Sequence, residues 1–354
     1  MRHFLLFLPA LLLTGCSTMS FYWQAFNGQM EVTRLARSLD EVLADPATNA
    51  DIRRRLAYAQ RARDYASAEL GLPDNASYRR YTDLKRPFVV WNVFAAPALS
   101  LDLRTQCFPV AGCVVYRGFF SKDAAENHAA TLRAEGLDVY VGGVPAYSTL
   151  GWFADPLLNT FIRYPDLEVA RLIFHELAHQ VAYVRDDSTF NESFAVAVEE
   201  EGLRRWMSGH ASAADRASYA AYALRRRELM RLFVGSRGEL GAAYAAPGDD
   251  GARRQAKARI LNGVVERYTA QKALWNLSEA QVRVYDDWVL KDLNNAKLGS
   301  IATYTRRVPQ FAALLAANGG DLARFYAAVA ALAALPKAQR ELRLDLLSPL
   351  VKED

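Results

Sequence analysis

The sequence predicts an α+β protein, predominantly helical, with a small β-sheet packed against one central helix. Two observations predict it. Apolar residues recur three and four positions apart through most of 30–71 and 167–347, the period of helices that bury one face. Between these stretches lie three short runs rich in Val, Phe, Tyr and Trp, with one amphipathic segment among them, the pattern of a compact strand–helix–strand unit.

The chain opens MRHFLLFLPALLLTGCSTMS. Arg2 precedes an apolar run from Phe4 to Leu13, then small residues and Cys16. The run is too short to span a bilayer comfortably and has the shape of a secretory signal. LTGC, Leu13 to Cys16, resembles a bacterial lipobox, which implies cleavage before Cys16 and a lipid on that cysteine. Ser17 resembles the sorting position of outer-membrane lipoproteins. The expected location is therefore the bacterial cell envelope, with Cys16 anchoring the protein in the outer membrane, facing the periplasm. Four regions follow: a signal over 1–15, a lipidated segment and helical region over 16–87, a small α/β section over 88–165 and a helical region over 166–354.

From Met30 to Gly71 the pattern is helical and charged. Asp45-Pro46 divides it into two helices, and Gly71, Pro73 and Asn75 stop the second. Strands are expected at Phe88–Ala96, Cys113–Phe120 and Asp138–Gly143, with a helix over 121–136 between the last two. Cys107 and Cys113 remain as one even pair in an oxidising compartment, which points to a disulfide, with Pro109 and Gly112 turning the loop between them. Everything after Leu167 reads as helix. Even the most apolar stretch, Phe325 to Pro336, is a short Ala-rich packed helix rather than a membrane span.

Hydrophobic residues make up 51% of the 354 and charged residues 23%, which fits an enzyme-sized globular body. A formal charge of only +4, spread along helical faces, gives no basis for a nucleic-acid partner. The chain has no internal repeat.

The chemistry gathers in RLIFHELAHQ, Arg171 to Gln180. Val169, Leu172, Ile173, Leu177, Val181 and Ala182 recur at helical spacing. His175 and His179 then lie one turn apart on one side and can point both imidazoles at a single ion. Glu176, displaced around the axis, can reach a water on that ion; two zinc ligands and a general base are the mechanical content of His-Glu-x-x-His. Such a spacing also arises in ordinary helices. This chain, however, has only five histidines, and unpaired polar groups on an apolar helix face are costly. One zinc ion per chain is the cofactor this reading implies. A catalytic zinc needs a third protein ligand, and STFNESFAVAVEEEG supplies two candidates, Glu192 and Glu199, on one face of the next helix. Ser188 or Thr189 would cap its start.

The chain resembles an aminopeptidase family of bacterial lipoproteins, a zincin-like family of the gluzincin type. The resemblance rests on residues 70–97, 108–120, 138–161, IFHELAHQ, FNESFAVAVEEEGLRRW and 293–311, and covers nearly the whole mature chain. Arg185 stands where a metzincin would place a third histidine, so that pattern is absent. Asn191-Glu192 resembles the Asn-Glu pair that carries the third ligand in gluzincins. The implied ligands are His175, His179 and Glu192, with Glu176 as base. Asn191 and Glu199 are the implied supports, Glu199 orienting a ligand histidine. In zincins substrate pairs with an edge strand above the metal helix, which assigns Gly143, Tyr147 and Trp152 of VGGVPAYSTLGWF to the substrate edge or rim. Tyr304 and Tyr183 are the candidates for holding the oxyanion.

The implied substrate is a peptide. Three readings follow: an aminopeptidase, an endopeptidase or cell-wall peptide amidase, and a zinc-bound envelope protein without catalysis. An aminopeptidase needs a carboxylate for the free amine, for which Glu199 and Asp155 are candidates. A purely structural zinc has no need of Glu176 and closes its fourth position.

Overall fold

A long helix, α1 (Phe7–Arg34), leads through the short strand β1 (Arg37–Ser38) into α2 (Leu39–Ala44) and α3 (Ala50–Ala68). Strands β2 (Arg80–Thr82), β3 (Val90–Ala96), β4 (Gln106–Phe108), β5 (Gly112–Val114) and β6 (Arg117–Phe119) follow, then α4 (Lys122–Ala134), β7 (Asp138–Val144) and β8 (Leu157–Leu158). The rest is helical: α5 (Asn159–Ile162), α6 (Asp166–Ala178), α7 (Ser188–His210), α8 (Ala213–Ala245), α9 (Asp250–Lys272), α10 (Glu279–Leu290), α11 (Asn295–Thr305), α12 (Val308–Ala317), α13 (Leu322–Ala333) and α14 (Lys337–Asp345). The structure is a computed structural model describing residues 7–108 and 112–347, with side chains from residue 21 onward except that of Phe108. The architecture is the mostly helical α+β arrangement that the hydrophobic periods predict. The signal's first residues and Pro109 lie outside the described residues, as does the side chain of Cys16, whose backbone belongs to α1. Among the described residues no helix is long and apolar enough to cross a membrane.

The sheet that matters for the site has the order β6-β3-β7. β3 lies at its centre and pairs antiparallel with β7 from Val90↔Val144 to Ala96↔Asp138. Its sequence, VWNVFAA, is apolar almost without interruption because both faces are covered. Trp91, Val93 and Ala95 face α4, while Phe94 and Ala96 pack with Ala296 of α11. β7 is left as an edge strand. The expected strand over Cys113–Phe120 is instead two, β5 and β6, because the chain leaves the β4–β5 hairpin to join β3. Cys107 and Cys113 are directly opposite in that hairpin and form a disulfide.

One core runs from Val32 to Leu344 and takes in α3, α6, α7 and α12 to α14. The N-terminal helices therefore belong to the same packed body as the later ones. α7 is buried around most of its first half, with Phe194 packed against Phe311 and Phe325. A separate cluster, including Leu229, Phe233, Val264, Tyr268 and Val289, holds α8, α9 and α10 together.

The start of α7 differs from expectation. Asp187, rather than Ser188 or Thr189, is the cap, its carboxylate accepting from Phe190 N at 3.1 Å. Its second oxygen is held by Arg340 of α14, Nη2 at 2.7 Å and Nε at 3.1 Å. The guanidinium also lies 5.3 Å from the centre of the Phe190 ring. Removing one partner of a buried ion pair strands the other. Arg340→Ala is expected to lower stability by roughly 3–5 kcal/mol in a urea titration, and Arg340→Lys to recover only part of it because Lys cannot reproduce the forked contact.

Candidate metal centre

α6 places the first two donors. His175 lies in its last turn, and His179 is its C-cap residue. The helix is thus shorter than the apolar spacing to Ala182 predicts. The chain must turn here to bring α7 back against α6, and Asn191 fixes that turn: its Oδ1 accepts from Val184 N at 2.7 Å and its Nδ2 donates to Val184 O at 2.8 Å. Asn191 therefore supports the site by stapling the loop rather than by touching a donor. Tyr183 falls in this loop, 44% exposed, instead of two helical turns beyond His175. The disulfide hairpin packs on the same loop, where Cys113 N donates to Asp186 Oδ1.

α7 delivers the third donor. Glu192 Oε2 lies 3.3 Å from His175 Nε2 and 3.6 Å from His179 Nε2. The donor atoms of His175, His179 and Glu192 all lie within 4.8 Å of one another. Ligands about 2.0–2.1 Å from a tetrahedral zinc stand roughly 3.4 Å apart, so two imidazoles and a carboxylate at these separations fit such an ion. Glu199, two turns along α7, sits on the far side of the same imidazole, Oε2 2.9 Å from His175 Nδ1. One helix face therefore addresses both nitrogens of one ring.

Charge is balanced behind the donors. Arg171 Nη1 donates to Glu199 Oε2 at 2.6 Å, and Arg226 Nη2 lies 3.7 Å from its Oε1. Burial pushes the Glu199 carboxyl up, but Arg171 and His175 outweigh it and hold its pKa at about 2. Burial opposes the charge on His175, yet its bonds to Glu192 and Glu199 win and raise its pKa to about 10. A proton on Nε2 would occupy the lone pair that a metal needs, so metal binding here must displace it. Glu176 is buried beside this group; burial raises its carboxyl, only partly offset by His175 and His179.

Other predicted residues divide clearly. Tyr304 of α11 feels the charge of the third donor: burial first, then Glu192, raises its hydroxyl well above the ordinary tyrosine value. Tyr304 and Gly143 both line an open cavity of about 970 Å³ bounded by α3, β3, β7, the first turn of α6, and α8, α10 and α11; the three donors and Glu176 lie behind its wall rather than in its lining. Gly143 is confined to glycine, since a Cβ there would sit 2.3 Å from the Phe88 ring. Tyr147 is packed instead against Phe120, with its hydroxyl bonded to Gln29 of α1. Trp152 is 85% exposed and does not line the cavity.

Neither candidate for the substrate amine is free. Glu199 is used by His175 and Arg171, and Asp155 accepts from Thr149 N and Oγ1, both at 2.8 Å. Burial raises the Asp155 pKa to about 6 in spite of those bonds. The fold therefore favours its protonated form. That contribution is complete below the ordinary value of 3.8 and is lost as pH rises through about 6. Asp155→Asn cannot ionise. Between pH 4 and 7 its urea midpoint should gain on that of the native chain, by roughly 1–3 kcal/mol of stability.

Sequence reading missed several neighbours. Arg171 had a signal, being one turn before His175 on the same helix. Tyr78 had none: it lies far upstream, in a left-handed backbone conformation (φ 62°), with a buried hydroxyl that has no hydrogen-bond partner. Burial and then the charge of Glu176 raise that hydroxyl's pKa.

A family model described as "Putative aminopeptidase" matches residues 20–344 of the 354. No curated protein and no solved structure gives a significant match.

Proposed function

The chain belongs to the putative aminopeptidase family, and on that premise we propose that it is a zinc-dependent peptidase of the gluzincin type acting at the amino end of peptides. The carrying observation is the trio His175, His179 and Glu192, whose donor atoms converge within 4.8 Å beside a buried Glu176. His175, His179 and Glu192 would hold the ion. When bound, zinc supplies Lewis acidity toward a carbonyl and toward water near neutral pH.

The chain's own groups do the rest. Glu176 accepts the proton of the attacking water and returns it to the leaving amine; its raised pKa suits both transfers. Glu199, fixed by Arg171 and Arg226, keeps the His175 ring oriented and its Nδ1 hydrogen-bonded. Tyr304, its proton retained, donates a hydrogen bond from its hydroxyl to the developing oxyanion. Gly143 lies on an edge strand that lines the cavity, so an extended substrate can add to that edge. We assign the N-terminus to a lipid anchor at Cys16, with the body in the periplasm at the outer membrane. The lipobox-like LTGC motif and Ser17 support that placement.

The test compares fluorogenic peptides with free and blocked amino groups, on protein lacking the signal and Cys16, with bound zinc measured alongside. Turnover of free-amino substrates alone is the expected result. Turnover of blocked peptides makes the protein an endopeptidase. A full complement of zinc without turnover of either overturns the peptidase reading.

A further inference from the structure

Glu168 lines the cavity and is 7% exposed. Its Oε2 is engaged, by Arg171 Nε at 3.0 Å and Tyr222 Oη at 3.4 Å. Its Oε1 is buried and has no hydrogen-bond partner. A buried carboxylate oxygen left this way is costly unless something supplies a donor. The walls around it suit a cation: Tyr58, Tyr219 and Tyr222 line the same cavity, the last two with ring centres 5.9 Å apart. Carboxylate and aromatic faces together attract an ammonium group.

The cavity's arginines do not fill this role. Arg54 Nη1 is held by Asp166 Oδ2 at 2.7 Å, Arg226 faces Glu199, and Arg225 Nε donates to Tyr285 Oη at 3.1 Å. Arg55 is held by Asp51 and by Tyr164 O, and Lys297 Nζ by the backbone carbonyls of Val289 and Lys291. Each of these cations lies on another contact, and none reaches Oε1 of Glu168 within hydrogen-bond distance.

Position determines what the cation is. Glu168 and His175 stand on one helix, seven residues apart, so they are separated along its axis by about 10 Å. Arg171 and Glu199 bridge that gap in a chain of contacts from Glu168 to the His175 ring. A substrate's first amine is only about 2.5 Å from the carbonyl carbon of its own residue. A carboxylate so far from the donors cannot hold the amine of a residue being removed singly. An extended chain covers about 3.3–3.6 Å per residue, which places the bound cation two or three residues before the scissile bond.

We propose that Glu168 and its tyrosine walls form a subsite for an ammonium group two or three residues before the cleaved bond, so that the enzyme releases di- or tripeptides. The inference rests on the peptidase reading above. The ammonium can be a terminal amine or a lysine side chain, and the test separates them.

Zinc-loaded protein is given a hexa-alanine peptide with a free amino end, and the first products are identified by mass spectrometry. Binding is measured on the Glu176→Gln protein by fluorescence anisotropy, using tetra-alanine with a dye at its carboxyl end. Three forms are compared: free amino end, acetylated, and acetylated with lysine at its first residue. The expected products are di- or tripeptides. The free form should bind about tenfold more tightly than the acetylated one, the size of one charge-assisted hydrogen bond, and adding Glu168→Gln should abolish the difference. If lysine restores tight binding to the acetylated form, the subsite accepts a side-chain ammonium as well. Should the Glu168→Gln protein fail to fold, the acetylation comparison on the Glu176→Gln protein decides alone. Release of single alanines, equal binding of free and acetylated forms, or tighter binding of a peptide with glutamate in place of that lysine overturns the proposal while leaving the peptidase intact. Zinc-loaded protein that neither binds nor cleaves any of these peptides overturns both.

Discussion

Glu192→Gln is expected to strip the protein of zinc. The carboxylate is the only anionic donor of the trio, and its Oε2 approaches both imidazoles, at 3.3 and 3.6 Å. Burial alone would raise its pKa, but the His179 charge and hydrogen bonds from both histidines hold it at about 2, so it is ionised and ready to ligate at any physiological pH. A carboxamide offers a neutral, weaker oxygen in the same place. Metal analysis after dialysis against a mild chelator should show about one zinc per native chain and far less in the variant. The melting temperature should rise with added zinc for the native chain only, since a ligand stabilises the state that binds it. Glu199→Gln gives a graded comparison: it leaves all three donors in place but loosens the His175 ring and removes the charge that balances Arg171 and Arg226, and is expected to weaken zinc affinity about 10–100-fold. Equal zinc retention by Glu192→Gln and the native chain would remove Glu192 from the ligand set.

Glu176→Gln should have the opposite signature, with zinc retained and turnover lost. Glu176 is buried next to His175, and its side chain is not one of the three converging donors. The substitution is nearly isosteric and keeps an oxygen and a hydrogen-bond donor in the pocket, so folding and metal content should be close to native. What disappears is a group that can take up and give back a proton, a contribution of about 10²–10⁴ in rate. The loss should fall on kcat with little change in KM, the mark of an interaction needed only in the transition state. A variant with native zinc and kcat within threefold of the parent would show that another group carries the proton. Tyr78, with an unpartnered buried hydroxyl that feels the charge of Glu176, would be the first to examine.

These two variants probe residues that were legible for different reasons. His175, Glu176 and His179 lie within one helical turn, where spacing alone fixes which side chains share a face. Glu192 and Glu199 were legible as a pair on one face of the next helix, but spacing could not say which of them meets both imidazoles. The choice depends on how far α7 slides along α6, and that is set by the Asn191 staple and the Asp187–Arg340 contact at the helix start. The end of α6 was misread for a related reason: apolar residues continue to Ala182, but the chain there is buried in a turn rather than a helix. Tyr147 shows the limit of reading aromatics. The sequence marks it as an amphipathic residue near glycines, and only the docking of α1 shows that its hydroxyl faces Gln29 instead of a cleft.

By itself, the sequence determined the helical class, the two helices that carry the converging donors, the cysteine pairing and the place of Glu176 beside the paired histidines. Each follows from local period or short spacing, which the backbone geometry translates directly into neighbours. Tertiary structure alone decided that Glu192 meets both imidazoles, that Arg171 and Arg226 balance Glu199, that β7 is an edge strand beside the cavity, and that Glu168 lines that cavity and buries one oxygen without a partner. Those contacts join residues many positions apart, and they exist only once the core from Val32 to Leu344 has closed around them.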